Sequence, residues 1–434
     1  MKIGIATLGS RGDVQPFLAL AVALARRGHT VRLATNEPFQ GFVEAGGIEF
    51  YPLGGDIKHI VGDRGRAALL AAEGRPLASL RALREHVGPL VREGLSRMGD
   101  ALAGCDVVMG QLLAPGAVHY AERHDLPYFD VAYDPIAPTW EFAHPGAPPS
   151  LGRGLASRLS YFAAEQVFWQ AFRPDLARYR REVLGLEPTS LLGPTGLRSR
   201  NRRPALIGFS GVLVPRPRDW PEDVLTTGPW LLQSDPPAPD EAARISRFLE
   251  AGSRPVYIGF GSMTVPRPDV MTDICVTALR KANRRAIISA GWGGAARRAD
   301  SSDVLFVDDV PHAWLFPKMA AIVHHGGQGT TAEATRAGVP QLVVPFLADQ
   351  PFWGHRVWKA GIGPEPILIS ALGADNLARA LEVMSLPDMV ARAAAAGARA
   401  REEPGADRAA VLIERSLTRR ESHSSGLSSR PTAL

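Results

Sequence analysis

Residues 321–354, AIVHHGGQGTTAEATRAGVPQLVVPFLADQPFWG, constrain the fold more than any other stretch. An apolar run at 321–323 enters a glycine-rich turn at 324–329, and a helix is predicted from Thr330. A second apolar strand, 341–345, follows and ends in a loop carrying Asp349 and Gln350. Strand, turn, helix and strand in that order make a parallel sheet covered by helices. The helix N-terminus, with its free N–H groups and positive dipole end, then lies at the carboxyl edge of the sheet, where phosphate binds well. Asp349 and Gln350 belong to the same edge. A carboxylate accepts from two neighbouring hydroxyls and an amide both donates and accepts, so the pair suits a polyol.

The same alternation runs through the rest of the chain. Residues 2–7 (KIGIAT) read as a buried strand and 8–13 as a Gly/Ser turn. Pro16 suits the first turn of a helix, and Phe17, Leu18, Leu20, Ala21, Leu24 and Ala25 repeat with helical spacing up to Gly28. Strands are predicted at 30–35, 48–52, 107–109, 128–131 and 204–209. The stretch 135–154 is rich in Pro, Gly and aromatics without a period and reads as a long binding loop. Residues 155–184 are helical in period, and Phe162, Phe168, Trp169, Phe172 and Tyr179 fit either helix core or a pocket wall. Pro215, Pro217 and Pro221 mark a stiff connection, with a new strand expected at 226–231. Strands recur at 255–262, 285–290, 304–310, 321–326 and 341–346. The expected architecture is α/β, with two doubly wound parallel sheets in domains at 1–215 and 216–400. A terminal helix (401–420) is expected to pack back on the first domain, and the polar, Ser-rich tail at 421–434 to be disordered.

A chain of 434 residues exceeds one core, which agrees with two domains. The net charge of +5 is mild for this length and gives no argument for nucleic acid. Cys105 and Cys275 are the two cysteines, far apart, with neither a disulfide framework nor metal spacing, so a reducing cytoplasm is expected. The N-terminus reads as a strand rather than a signal core, and no apolar run approaches the roughly 18 residues of a membrane span. Neither Gly9–Ser10 nor Gly261–Ser262 opens a G-x-G-x-x-G, so hydride-transfer dinucleotide binding is disfavoured.

Three constellations carry chemistry. His325, Gly327, Gly329, Thr330 and Glu333 gather backbone and side-chain donors at a helix N-terminus, with a carboxylate one turn on for ribose hydroxyls. Asp349–Gln350 suits a sugar. In Gly9-Ser10-Arg11-Gly12-Asp13, the aspartate fits two readings: a helix cap, or a general base facing the second domain across a cleft. The basic run Arg198, Arg200, Arg202 and Arg203 fits a solvated loop or peripheral contact with a membrane surface.

GSRGDVQP (9–16), GFGSM (259–263), VDDVPHAWLFP (307–317), HHGGQGTTAEATRAGVP (324–340) and PFLADQPFWG (345–354) together resemble the inverting GT-B glycosyltransferases of family 1. The likeness is greatest to the branch of sterol glucosyltransferases and antibiotic-decorating enzymes. It implies two Rossmann-like domains facing across a cleft, the first for acceptor and the second for a nucleotide sugar. It further implies His325 at the diphosphate, Gly329 and Thr330 at phosphate, Glu333 at ribose, and Asp349 with Gln350 at the sugar. Gly261 and Ser262 belong to a loop near the phosphates, Val310 to the backbone at the base, and Ser10, Arg11, Gly12 and Gly327 to the donor rim. The stacking tryptophan of plant members has no counterpart at Val307, which leaves Trp292 as a candidate, and Gln328 stands where they have Trp. The catalytic His of many members is replaced by Asp13, the usual base in the sterol and antibiotic branch.

The resemblance implies a metal-independent enzyme whose only small-molecule requirement beside the acceptor is the nucleotide sugar. UDP-glucose is favoured over a dTDP-deoxysugar. The acceptor is expected to be a hydrophobic sterol, macrolide or other natural product, held near Asp13, Tyr133, Trp140 and Phe142 by a monomer or homodimer. A UDP-sugar 2-epimerase of the same fold and a non-catalytic helper protein are the alternatives.

Overall fold

The computed structural model describes residues 1–434 apart from 73–74, 194–203, 234, 262, 264, 266, 291–294 and 428–434. Ser262, Trp292 and the basic run at 198–203 therefore lie outside the described residues.

The first sheet contains β1 (Lys2–Ala6), β2 (Thr30–Asn36), β3 (Glu49–Gly54), β4 (Val107–Gly110), β5 (Tyr128–Ala132), β6 (Ala205–Ile207) and β7 (Val224–Thr226). They lie side by side in the order β3-β2-β1-β4-β5-β6-β7. The second contains β8 (Val256–Gly259), β9 (Ala286–Ser289), β10 (Val304–Val307), β11 (Ala321–His324) and β12 (Gln341–Val343), in the order β10-β9-β8-β11-β12. Every pairing is parallel. Such strands are short and apolar because helices cover both faces. Ile3 and Ile5 point to one side of β1, where Phe17, Leu20 and Leu24 of the helix Arg11–Arg26 cover them. Ala6 and Val108 face the other side, against Leu90 and Met98 of the helix Gly88–Leu102.

In each sheet the strand order reverses beside the first strand, between β1 and β4 and between β8 and β11. Doubly wound sheets leave a crevice at such a point, and ligands bind there. One crevice receives the start of the helix Arg11–Arg26, the other the start of the helix Gln328–Ala337.

Three features differ from the sequence expectations. Val224–Thr226 pairs with β6, so the chain leaves the first sheet after Thr226, beyond the expected boundary at 215/216. The prolines mark a loop within the first unit: Asp219 accepts from Thr139 Oγ1 (2.6 Å) and the Trp140 amide (3.0 Å), while Trp220 Nε1 donates to the Ala137 carbonyl (3.0 Å). The long 135–154 loop is thus pinned. The terminal helix runs over Gly405–Leu427, into the stretch expected to be disordered. Trp169, Phe172 and Tyr179 are core residues, whereas Phe162 is exposed.

Ala409, Ala410, Ile413 and Leu417 form one apolar face of that terminal helix and join the core around Phe17. Glu414 accepts from Arg27 (2.6 Å) and contacts His29 Nε2 (3.0 Å) at the edge of this contact. A fully buried isoleucine outweighs a solvent-exposed ion pair. Ile413→Ala should cost about 2–4 kcal/mol in urea unfolding and Glu414→Gln under about 1 kcal/mol.

Candidate active site

The first helix starts with Ser10 at its N-cap and Asp13 three residues on, a reciprocal capping box. Asp13 Oδ2 accepts from the Ser10 amide (2.7 Å) and Ser10 Oγ (2.9 Å). Its other oxygen, Oδ1, accepts from the Tyr133 hydroxyl at 2.5 Å. The helix-cap reading is therefore geometrically right, and the cap aims the carboxylate at the crevice. Burial pushes the Asp13 pKa up, against the hydrogen bonds from Tyr133 and Ser10 that pull it down. Burial, together with the negative charge of Asp13, holds the Tyr133 hydroxyl well above its ordinary value.

At the second crevice the two adjacent histidines do different work. His324 is fully buried and faces Gln341 Oε1 through Nε2 (2.9 Å), while Nδ1 accepts from the Gly326 amide (3.1 Å). Gln341 in turn donates to Thr335 Oγ1 (2.9 Å), so this chain of bonds fixes the glycine turn. His325 points away from that network. Gly261 has φ +60°, and a Cβ there would lie 2.9 Å from His325 Cε1; one on Gly327 would lie 2.5 Å from Nε2. Both glycines make room for the imidazole. Burial, aided by nearby His312, lowers the His325 pKa to about 4, so the ring is neutral at physiological pH. Its Nδ1 is buried without a hydrogen-bond partner among the described residues. His312 itself stacks on Phe316 (4.3 Å) and reaches Tyr257 (3.3 Å), a structural position.

The helix Gln328–Ala337 begins two residues before Thr330. A Cβ on Gly329 would meet no atom within 4 Å, so the turn is open there, and Thr330 lies beside it, half-buried. Glu333 is buried one turn on, and burial raises its pKa to about 7.

Asp349 stands at the N-cap of the helix Gln350–Lys359. Its Oδ2 accepts from Trp353 Nε1 (2.9 Å), and the same indole N–H also lies 3.1 Å from Asp134 Oδ1. Gln350 Oε1 accepts from the Phe346 (2.8 Å) and Leu347 (3.2 Å) amides. Its amide nitrogen faces the Met263 sulfur (3.5 Å).

The two crevices meet. Arg11 pairs with Asp309, and Gln328 Nε2 donates to the Gly208 carbonyl (3.1 Å). Phe142 packs on Phe352 (5.6 Å) with the Arg356 guanidinium over both rings. Asp13, Tyr133 and Asp349 are thereby brought close enough to shift one another electrostatically. Other expected site residues sit differently. Phe142 is buried in this contact between domains, and Trp140 is exposed beneath Arg158 (4.9 Å). Val310 packs with Leu315 and Phe316, and Gly12 is exposed.

Asp134, Trp353 and the Gln328–Gly208 bond are site features the sequence reading missed. Trp353 lies four residues after Asp349, a spacing that places both on one helix face. Asp134 follows Tyr133 directly at the carboxyl end of β5.

Residues 3–135 match the glycosyltransferase family 28 N-terminal domain, and 296–410 match the erythromycin biosynthesis protein CIII-like C-terminal domain. A sterol 3-beta-glucosyltransferase of Arabidopsis thaliana is 37% identical over 397 residues, covering 90% of this chain and 64% of that protein. Another, from Yarrowia lipolytica, is 33% identical over 436 residues, covering 96% of this chain and 29% of that protein. The chain thus spans less than two thirds of the length of these relatives. The crystal structure of CalG4, the calicheamicin glycosyltransferase, superposes with a TM-score of 0.66 at 20% identity, covering 96% of this chain and 98% of that one. At that identity the match speaks for the fold.

Glu333 offers a test of the site's electrostatics. Its folded-state pKa exceeds the ordinary carboxylate value, so the charged form costs stability as pH rises from about 4.5 to about 7. A shift of that size is worth about 3 kcal/mol. Glu333→Gln should match the wild type in urea unfolding at pH 4.5 and exceed it by up to about 3 kcal/mol at pH 8.

Proposed function

This chain belongs to the GT-B glycosyltransferases, and on that premise we propose that it transfers a hexose, with inversion, from a nucleoside diphosphate sugar to a hydroxyl of a hydrophobic acceptor. The observation that carries the reading is the meeting of Asp13, oriented by Ser10 and Tyr133, with Asp349 and the His325 turn across one cleft. A base and a donor site must face each other for a single displacement.

In this mechanism Asp13 takes the proton of the acceptor hydroxyl as that oxygen bonds to the anomeric carbon. The bond from that carbon to the diphosphate breaks, and the diphosphate leaves with the electron pair. Burial raises the Asp13 pKa toward the operating pH, which favours proton transfer. The amides at the start of the helix Gln328–Ala337, the Thr330 hydroxyl and the neutral His325 ring meet the growing charge on the diphosphate. The His325 Nδ1, which has no partner among the described residues, is suited to that contact. Glu333 accepts from ribose, and Asp349 with the Gln350 amide nitrogen holds sugar hydroxyls. Ser10, Arg11, Gly12, Gly261 and Gly327 line the phosphates, and the Val310 backbone contacts the base. Trp140 and Tyr133 border the acceptor.

UDP-glucose is the favoured donor and a dTDP-deoxysugar its competitor. The acceptor follows the relatives named as sterol 3-beta-glucosyltransferases: a fused-ring alcohol. The buried free thiols of Cys105 and Cys275 suit a cytoplasmic protein. The epimerase and helper readings are not favoured, because the named relatives are transferases and Asp13 and His325 both stand in the cleft.

Incubation with UDP-glucose and sterol acceptors tests the proposal. Asp13→Ala should lower kcat by about 10²–10⁴ while UDP affinity stays constant, and undiminished transfer would refute the base. His325→Ala should weaken UDP binding. Tyr133→Phe removes a bond that lowers the Asp13 pKa, so the acid limb of kcat/KM should move to higher pH.

A further inference from the structure

Asp134 has no part in the mechanism above, yet it lies at the centre of the closed cleft. It is half-buried at the end of β5 on the first domain, beside Tyr133. Its Oδ1 is 3.1 Å from Trp353 Nε1, an indole N–H that Asp349 Oδ2 accepts at 2.9 Å. The two carboxylates thus converge on one N–H, and like charges so placed repel each other unless one of them carries a proton.

We propose that Asp134 is a positioning residue for Asp349: its protonated carboxyl donates to Asp349 across the closed cleft, and the two share the Trp353 indole donor. Asp349 is thereby held as a charged acceptor aimed at the hydroxyls of the donor sugar. The inference rests on the reading of Asp349 as the sugar-holding residue.

The surroundings place the proton on Asp134. The titratable groups facing it are Asp13 from the first helix, Tyr133 beside it and Asp349 from the second domain. Burial and the negative charge of Asp349 push Asp134 well above the ordinary carboxylate range. Burial raises Asp349 too, to about 6, but bonds from its own backbone and from Trp353 pull against that rise, while Trp353 also restrains Asp134. Trp353 is itself fixed, nearly fully buried between Phe352 and Phe209. Asp349 receives one donor from its own helix and one from the opposite domain, so closure completes its orientation.

An asparagine at 134 keeps a neutral donor and an acceptor in the same place, whereas alanine removes both. Calorimetric titration of the full chain with UDP-glucose and dTDP-glucose, each against its free nucleotide, isolates the affinity that the sugar adds. Asp134→Ala should lose that increment, on the order of tenfold for one charge-assisted hydrogen bond, with nucleotide affinity unchanged. Asp134→Asn should keep it. In the wild type the increment should shrink as pH rises and the shared proton is lost, and in Asp134→Asn it should not. An Asp134→Ala protein that keeps the increment overturns the proposal, as does an asparagine variant as impaired as alanine. Asp349→Ala separates the two readings. If it alone loses the increment, only the role of Asp134 falls; if it keeps the increment, the assignment of Asp349 falls and this inference with it.

Discussion

Two helix N-termini face one cleft, and the polar groups of the site are arranged around them. Each begins at the point where its sheet reverses strand order, and the two helices touch. A helix start is electropositive, so acids and anions collect beside it. Asp13 occupies the first as part of a capping box. The second is lined by glycines and threonine, which leaves its amides for a ligand. The asymmetry separates the roles: one terminus is filled by its own carboxylate, and the other, on the proposed function, is left for a diphosphate.

Concentrating carboxyls in this cleft has a cost that shapes their chemistry. Asp13, Asp134, Asp349 and Glu333 are all shifted upward, and burial is the leading cause for each. Desolvated like charges cannot all ionise together. The cleft resolves the conflict by giving each group a different environment. Asp13 receives three hydrogen bonds that restrain its rise. Asp349 receives the Trp353 indole at 2.9 Å, shared with Asp134 at 3.1 Å, and a bond from its own backbone. Asp134 is left as the group that keeps a proton. His325 is the converse case, a ring kept neutral by burial and so able to donate without adding a fixed positive charge.

The proposed donor half of the site can be read from the sequence because it is local. His325 to Glu333 span a single strand–turn–helix, and Asp349–Gln350 follow the next strand of the same sheet. What the spacing did not show was the division of labour between the histidines. His324 and His325 look alike in sequence, and only the bond of His324 to Gln341 tells structural from free. The parallel, doubly wound sheets followed from the alternation of elements. The domain boundary did not, because three prolines look like a linker whether the loop joins two sheets or returns to one. Phe142 read as a pocket aromatic because its partners, Phe352 and Arg356, lie some 200 residues away.

The closing contacts are the least legible part for the same reason, and they link recognition of donor to completion of the site. Gln328 stands where plant members have tryptophan. Its amide donates to the Gly208 carbonyl beside the opposite sheet, so the residue that opens the helix Gln328–Ala337 also ties that helix to the first domain. Trp353, which also donates to Asp349, does the same through Asp134. Any group seated at this helix N-terminus is therefore in contact with elements that also join the domains. On the proposed function, donor binding and closure draw on the same bonds, and the Asp13 side of the cleft is brought to its working distance by the residues proposed to grip the donor.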